Sequence, residues 1–202
     1  MSHISLAPAK HAQQTNAAAT LDRIPLIFDA DDMIAHLEAL DPMPTADEML
    51  TAMARVGRID NPYMIDLLAD TLGSWAPAIT DTVHHAWSSA EYPEDSVEPD
   101  RWAELFEDAG YRIDGAPADR PDEITLYRGA PECRVQRMAW TSSLAVARKF
   151  AHSSLRGREE GRVWSITIPG AWLLAHISDR EEHECIVNPA VWAQSPRVTE
   201  VA

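Results

Sequence analysis

Residues 115–122, GAPADRPD, divide this chain into two stretches with different hydrophobic patterns. The prolines and the glycine in this segment disfavour both helices and strands, so it is predicted to be a linker. Upstream of it, apolar residues recur at the spacing of one helix face. Downstream, they fall in short runs rich in β-branched residues, which indicates strands. The sequence therefore predicts an α+β fold, with a helical lobe at residues 21–115 and a mainly antiparallel β domain at residues 116–202.

The predicted helical lobe contains five helices. They are expected near residues 29–40, 45–56, 61–72, 77–88 and 99–110. Asp29 or Asp31 can cap the first helix, and Thr45 with Glu48 has the pattern of a capping box for the second. The large aromatic residues of this lobe are assigned to its core, namely Trp87, Tyr92 and Trp102.

The β domain is predicted to contain strands near residues 124–128, 138–142, 162–168 and 185–189. Residues 172–177 fit a short strand or a turn, and residues 197–201 fit an edge strand. A helix is expected at residues 144–153, with Val146, Phe150 and Ala151 facing inward. Ser142 or Ser143 can serve as its N-cap.

Hydrophobic residues make up 46% of the chain, enough to bury a sizeable core. No apolar run approaches the roughly 20 residues that a membrane-spanning helix needs. Residues 1–20 are small and polar and lack the pattern of a secretory signal, so we expect a flexible arm and a cytoplasmic protein. If the chain is phage-encoded, that cytoplasm is the host cell's. Cys133 and Cys185 are then expected to be reduced.

The formal net charge of −15 is carried by one part of the chain. Residues 1–120 hold 22 acidic and seven basic residues, whereas residues 121–202 hold ten of each. The acidic stretch repels phosphate backbones, so nucleic acid is a poor partner for it. It suits either a basic partner or simple solubility.

Three motifs in the downstream part contain residue types suited to dinucleotide chemistry. In chain order they are Leu126-Tyr127-Arg128-Gly129, Trp140-Thr141-Ser142-Ser143 and Glu182-His183-Glu184. This order resembles the Arg–Ser/Thr–Glu branch of the mono-ADP-ribosyltransferase superfamily, whose Arg, Ser-Thr-Ser triplet and Glu-x-Glu lie on or beside successive strands. Thr141 stands where that triplet has its leading Ser and keeps the hydroxyl. The resemblance covers about a third of the chain and does not extend to residues 1–110.

The resemblance implies that two facing sheets enclose NAD, which is a substrate, and that no metal is needed. Cleavage of the nicotinamide–ribose bond develops positive charge on the ribose, which a carboxylate stabilises. That role falls to Glu184. Glu182 would orient and deprotonate an acceptor arginine, and Thr141 would order the pocket by hydrogen bonding, including to the catalytic acid.

The remaining motif residues would bind NAD. An arginine fork donates two parallel hydrogen bonds to a phosphate, which suits Arg128 to the NAD diphosphate. Gly129 would let the backbone approach the nicotinamide amide. Thr141, Ser142 and Ser143 would line the NAD site. Tyr127, Phe150 and Trp164 are candidates for lining the nicotinamide pocket.

Each motif alone also has a structural explanation. Arg128 fits a surface salt bridge, Thr141 to Ser143 fit a helix N-cap, and residues 181–184 fit a solvated acidic turn. Their joint occurrence in family order favours the functional interpretation. A metal site is not predicted, because His84 and His85 point about 100° apart on a helix and His183 with Cys185 lacks a second ligand pair.

Three functions fit these residues. The first is a mono-ADP-ribosyltransferase acting on a macromolecular acceptor, with an arginine of an acceptor protein as the target. The second is an NAD glycohydrolase, in which water replaces the acceptor. The third is a catalytically inactive module whose helical lobe binds a partner. Intact Arg128, Thr141 and Glu184 favour an enzyme, and Glu182 favours transfer. A toxin, a phage-borne modifier of host proteins and a regulator all remain compatible.

Overall fold

A computed structural model describes residues 23–152, 161–178 and 181–201. Within these residues the chain forms eight α-helices and one eight-stranded sheet, which confirms the predicted α+β class. The predicted arm at residues 1–20 lies outside the described residues. No helix in the described ranges is both long and apolar enough to cross a membrane.

Seven helices make up the lobe: α1 Ala30–Glu38, α2 Ala46–Val56, α3 Asn61–Leu68, α4 Pro77–Thr80, α5 Val83–Ser89, α6 Pro93–Ser96 and α7 Pro99–Ala109. A π-helical turn, Ala69–Gly73, continues α3. The predicted caps are confirmed: the Asp29 side chain accepts from the Asp32 N–H, and Thr45 and Glu48 form a capping box around the start of α2. Side-chain acceptors satisfy N–H groups that a helix start leaves without partners, which fixes where α1 and α2 begin.

The single helix predicted at residues 77–88 is wrong, because the structure has two short helices there, α4 and α5. Thr82 lies in the break, between the end of α4 at Thr80 and the start of α5 at Val83, and is fully buried. Its hydroxyl donates to the carbonyl oxygen of Ala78 at 2.6 Å and contacts that of Ile79 at 3.3 Å. A hydroxyl that bonds to carbonyls of the preceding turn competes with the helical ladder and bends it.

The strands are β1 Arg112–Ile113, β2 Ala116–Pro117, β3 Glu123–Ala130, β4 Ala139–Thr141, β5 Arg162–Pro169, β6 Leu173–Ile177, β7 Glu184–Val187 and β8 Thr199–Val201. Helix α8, Leu144–Ala151, follows β4. The strand order is β2-β1-β6-β7-β4-β3-β5-β8, and every pair except β1–β6 is antiparallel. The predicted edge strand at residues 197–201 is confirmed as β8.

The ladder between β3 and β4 is short. It contains one residue pair, Tyr127 with Thr141, whereas β3 pairs with β5 over the eight residues from Glu123 to Ala130. All eight strands nevertheless belong to one sheet. The sheet is thus weakly joined at its centre, where the first two predicted motifs meet.

The helical lobe packs directly on the sheet. Its core, which includes Trp102 and Phe106, is continuous with Met138, Leu174 and Ile186 from the sheet side. A second core lies around Leu126, Trp140, Ile166, Ile168, Cys185 and Val187. Apolar contact therefore crosses the predicted linker at residues 115–122, and β1, which precedes that linker, is part of the sheet.

Candidate active site

A cavity of about 280 Å³ lies between the helical lobe and the centre of the sheet. The lobe lines it with the segment from Trp87 to Asp95. The β domain lines it with residues of β3, β4 and α8 and with the turn before β7. Of the predicted site residues, five line this cavity: Arg128, Gly129, Thr141, Glu182 and Glu184.

Strand register explains how residues far apart in the chain meet here. Tyr127 pairs with Thr141, and Thr141 pairs with Glu184, so the three form one row across β3, β4 and β7. Directly opposed residues of an antiparallel ladder project from the same face of the sheet. The first, second and third motifs therefore present side chains to one side of the sheet centre.

Arg128 lies beside the single β3–β4 pair and is half-buried. Its Nε donates to the Arg134 carbonyl oxygen at 3.0 Å, and its Nη1 donates to the Ala139 carbonyl oxygen. Burial lowers the pKa of the Arg128 guanidinium to about 10. The nearby carboxylates of Glu94 and Glu184 have the opposite, smaller effect and raise this pKa. The group stays charged at neutral pH, and its hydrogen bonds to neutral carbonyl groups hold this charge at the cavity wall.

Thr141 organises the acidic turn before β7. Its hydroxyl donates to the Glu182 carbonyl oxygen at 2.6 Å and accepts from the Ser143 N–H at 3.0 Å. A hydroxyl has one proton to donate, and here the backbone of Glu182 takes it. The predicted ordering by Thr141 therefore acts on the backbone of the Glu182-His183-Glu184 turn rather than by donation to the Glu184 carboxylate.

The turn has an unusual backbone. Glu181 and His183 have φ of 57° and 47°, in the left-handed region that non-glycine residues rarely adopt. The Ser142 N–H donates to the His183 carbonyl oxygen at 3.1 Å and helps to hold this conformation. Glu182 and Glu184 are both half-buried and both line the cavity. Backbone outliers of this kind cluster at functional sites, where surrounding contacts hold them.

A side chain of the helical lobe contacts the Glu184 carboxylate. The Trp87 indole Nε1 donates to Glu184 Oε1 at 3.1 Å, across 97 positions of sequence. The sequence correctly indicated that Trp87 is buried, and it is 1% exposed. The sequence did not predict the bond from Trp87 to Glu184, because a tryptophan at helix spacing has the pattern of a core residue.

Other predicted site residues have structural roles. Ser143 caps α8, as the sequence allowed, and accepts from the Val146 N–H at 3.4 Å. Ser142 is exposed, and the cavity lining includes neither serine. A side-chain carbon at Gly129 would overlap the Ala147 carbonyl oxygen, so glycine is required there for close packing of α8 on β3. The predicted NAD contacts of these three residues stay predictions.

Five aromatic residues line the cavity. Trp87 and Tyr92 come from the lobe, Tyr127 from β3, Trp140 from β4 and Phe150 from α8. The prediction that Phe150 faces inward is wrong, because it is 46% exposed at the cavity. Tyr92, assigned to the core from the sequence, is 44% exposed and also belongs to the cavity wall. Trp164 packs against the second core instead.

Charged residues hold the lobe against the sheet at the rim of the cavity. A Glu94 carboxylate oxygen accepts from the Met138 N–H, just before β4. Arg137 forms an ion pair with Asp95 at 2.8 Å and donates to the Glu94 carbonyl oxygen at 3.3 Å. Sequence analysis missed these contacts, because an acidic residue near a helix start usually faces solvent.

By residue type, the cysteines and histidines of the described ranges are candidate metal ligands or reactive groups. Across the described ranges, no group of three or more His, Cys, Asp or Glu side chains is arranged to hold a metal ion. Cys133 and Cys185 are free thiols. Burial raises the pKa of the Cys185 thiol to about 12, so it is unreactive at neutral pH.

The cavity lining thus combines three arginines, five acidic residues and several aromatic rings. The arginines are Arg128, Arg134 and Arg137, and the acidic residues are Glu91, Glu94, Asp95, Glu182 and Glu184. Arginines can bind an anionic group, aromatic rings can stack on a flat ring, and carboxylates can stabilise positive charge. In comparisons with known proteins, no family model, no curated protein and no solved structure matches the chain.

Proposed function

We propose that this protein is an NAD-dependent mono-ADP-ribosyltransferase whose acceptor is an arginine of another protein. The observation that carries the proposal is the convergence of Arg128, Thr141, Glu182 and Glu184 on one cavity. These residues belong to three separate motifs, and the order of motifs along the chain does not by itself bring their side chains to one cavity. The resemblance to the Arg–Ser/Thr–Glu branch supplies the chemistry.

The size and lining of the cavity support binding of the nicotinamide-ribose half of NAD rather than the whole molecule. Its volume of about 280 Å³ is just below the roughly 300–1,000 Å³ of small-molecule sites. Tyr127 and Phe150 offer ring faces to nicotinamide, and Arg128 offers its charge to the diphosphate. Glu184 then lies beside the ribose. The adenosine half extends beyond this cavity.

The sheet topology supports a finer proposal about architecture. The single Tyr127–Thr141 pair joins a group containing β2, β1, β6, β7 and β4 to a group containing β3, β5 and β8. We propose that these groups correspond to the two facing sheets of the ADP-ribosyltransferase fold. The cavity would then lie at the junction of the two groups.

The proposed reaction begins with cleavage of the bond between the nicotinamide nitrogen and ribose C1′. The bonding electron pair goes to the nicotinamide ring, which leaves as a neutral molecule. The ribose carries positive charge in the transition state, and the Glu184 carboxylate stabilises it. An acceptor guanidinium nitrogen forms the new bond to C1′, and its proton passes to Glu182.

The test of the proposal is incubation with NAD labelled in the adenosine half, in the presence of a cell lysate. We expect labelled protein bands and release of nicotinamide. Glu184→Gln should reduce nicotinamide release by roughly 10²–10³-fold, because it removes the charge but keeps the size of the side chain. Glu123→Gln is the matched control, since Glu123 is exposed on β3 and away from the cavity. Equal rates in both variants contradict the assignment.

Transfer and hydrolysis are separated by Glu182. Glu182→Ala should abolish protein labelling while slow NAD hydrolysis continues, because Glu182 acts on the acceptor and Glu184 acts on the ribose. Glu181→Ala is the control for a neighbouring acid, and Glu181 is exposed. Brisk hydrolysis without protein labelling by the wild type identifies a glycohydrolase. If the wild type gives neither labelled protein nor hydrolysed NAD, the protein is an inactive, partner-binding module.

A further inference from the structure

The helical lobe reaches the proposed reaction centre through Trp87. This tryptophan lies on α5 and donates from its indole Nε1 to Glu184 Oε1 at 3.1 Å. An indole nitrogen donates and cannot accept, so Glu184 Oε1 must be the acceptor in this bond. An ionised carboxylate is the better acceptor, and bonds of this charged kind are stronger than neutral ones.

The indole is fixed in place by its neighbours. The Trp87 ring meets the rings of Trp102 and Phe106 edge-on, with centroids 5.2 and 5.7 Å away. Trp102 is itself held by a bond from its Nε1 to the Pro93 carbonyl oxygen at 2.9 Å. These three residues are at most 1% exposed. Rotation of Trp87 would require the core of the lobe to repack, so its N–H has a fixed direction.

The lobe is also fixed to the sheet next to this bond. Glu94 accepts from the Met138 N–H, and Arg137 pairs with Asp95. Met138 directly precedes β4, and β4 pairs with β7, which begins at Glu184. The donor and acceptor of the Trp87–Glu184 bond are therefore held by two elements that are themselves tied together.

We propose that Trp87 is a positioning residue for Glu184, so that the helical lobe completes the active site rather than serving only to recruit a partner. The inference rests on the proposed function. Trp87 holds one carboxylate oxygen and thereby directs the other toward the ribose. The same bond favours the charged form of the carboxyl group, which is the form that stabilises the ribose.

Trp87→Phe tests this role, because it keeps an aromatic ring and removes the N–H. We expect kcat for nicotinamide release to fall by roughly ten- to a hundredfold, the range for a lost hydrogen bond to a charged group, with little change in KM for NAD. The acid limb of the pH profile of kcat should move to higher pH. The charged groups that share the cavity wall with Glu184 are unchanged in this variant; they are Glu91, Glu94, Asp95, Arg128, Arg134, Arg137 and Glu182.

Trp164→Phe is the control. It also removes an indole N–H, which donates to the Ala130 carbonyl oxygen at 2.9 Å, and Trp164 does not line the cavity. It should leave kcat and the position of the acid limb unchanged. If Trp87→Phe fails to fold, β-(3-benzothienyl)alanine at position 87 replaces the N–H by sulfur at nearly constant shape and gives the same comparison.

A second measurement separates this inference from the proposed function. The protonation of Glu184 can be followed by NMR of carboxyl-labelled protein without any substrate. Its midpoint should lie at higher pH in the position-87 variants than in the wild type. An unchanged midpoint overturns the role of Trp87, even if Glu184→Gln is inactive. A shifted midpoint in a protein without NAD activity supports the positioning and refutes the proposed reaction.

Discussion

The two sides of the cavity were built from different kinds of residues. On the sheet side stand Tyr127, Thr141 and Glu184, which belong to short motifs and are brought together by strand register. On the lobe side stand Trp87 and Glu94, which belong to no motif and reach the sheet through single side-chain contacts. Local patterns identify the first kind of residue, whereas only packing of the lobe on the sheet identifies the second.

This comparison bears on what the lobe is for. A lobe that served only as a docking module would have little reason to donate to the carboxylate of Glu184. Its core is instead continuous with the sheet through Met138, Leu174 and Ile186. The acidic charge of residues 1–120 remains available to bind a basic acceptor. The lobe thus combines a buried contact with the site and an acidic exterior.

The largest expected effect tests whether lobe and sheet are one cooperative unit. Phe106→Ala removes a 1%-exposed ring from the shared core and should destabilise the protein by about 3–5 kcal/mol. Urea unfolding followed by far-ultraviolet circular dichroism and by tryptophan fluorescence should give coincident transitions. Phe28→Ala is the control, because Phe28 is 67% exposed and its loss should cost less than about 0.5 kcal/mol. Separate transitions for the two probes would mean that the lobe and the sheet unfold independently.

The next effect concerns the sheet side alone. Gly129→Ala places a methyl group against the backbone of α8 at Ala147 and Ala151. We expect a loss of about 1–3 kcal/mol in the free energy of unfolding, as for other overpacked sites. Urea denaturation measures it. Unchanged stability would show that α8 is free to move away from β3, and the packing explanation for this glycine would be wrong.

A smaller effect is expected for Arg128→Lys, which keeps the charge but loses the planar fork. NAD affinity should fall about tenfold, or about 1.4 kcal/mol. Isothermal titration calorimetry measures the affinity, and thermal stabilisation by NAD gives an independent check. Arg162→Lys is the control, since Arg162 is exposed and pairs with Glu200 outside the cavity. If both variants bind NAD as the wild type does, Arg128 is not a dinucleotide ligand.

The smallest effect on stability is expected at Asp114, which follows β1 at the point where β1 pairs with β6. Asp114 accepts from the Ser178 hydroxyl and N–H, and these bonds hold the pKa of its carboxyl group below the usual value. A depressed pKa stabilises the fold above the unfolded-state value of about 3.9, and the contribution is lost as the pH falls through the folded-state pKa. Asp114 is exposed, so we expect less than about 1 kcal/mol.

Asp114→Asn measures this contribution, because asparagine tolerates the positive φ of 49° at this position. The difference in the free energy of unfolding between wild type and variant should be present at pH 7 and should shrink below about pH 4. A difference that stays constant down to pH 3 would mean that the charge of Asp114 does not contribute.

Much of the secondary structure could be predicted because its determinants are local. Asp29, Thr45 and Glu48 set helix starts through bonds within a few residues, and the β-branched run of β5 has the pattern of a strand. The break between α4 and α5 was missed, because Thr82 stands at it and neither proline nor glycine marks the position. Only the structure shows that the buried Thr82 hydroxyl donates to the Ala78 carbonyl oxygen, which explains why the helix bends there.

The orientation of surface-layer residues was less predictable. Phe150 has the spacing of an inward-facing helix residue, yet α8 packs on β3 through Ala147 and Ala151. Because Gly129 has no side chain, the backbone of α8 approaches β3 closely. At this distance α8 packs on β3 through its face of small residues, Ala147 and Ala151. Phe150 is therefore left at the cavity.

The sequence by itself determined the α+β composition, most helix starts, and the set of residues suited to dinucleotide chemistry, because these follow from patterns within a few positions. Only the tertiary structure decided that Tyr127, Thr141 and Glu184 form one row, and that Trp87 donates to Glu184. Register and lobe packing depend on the whole core, which couples residues nearly 100 positions apart. No local pattern contains that information.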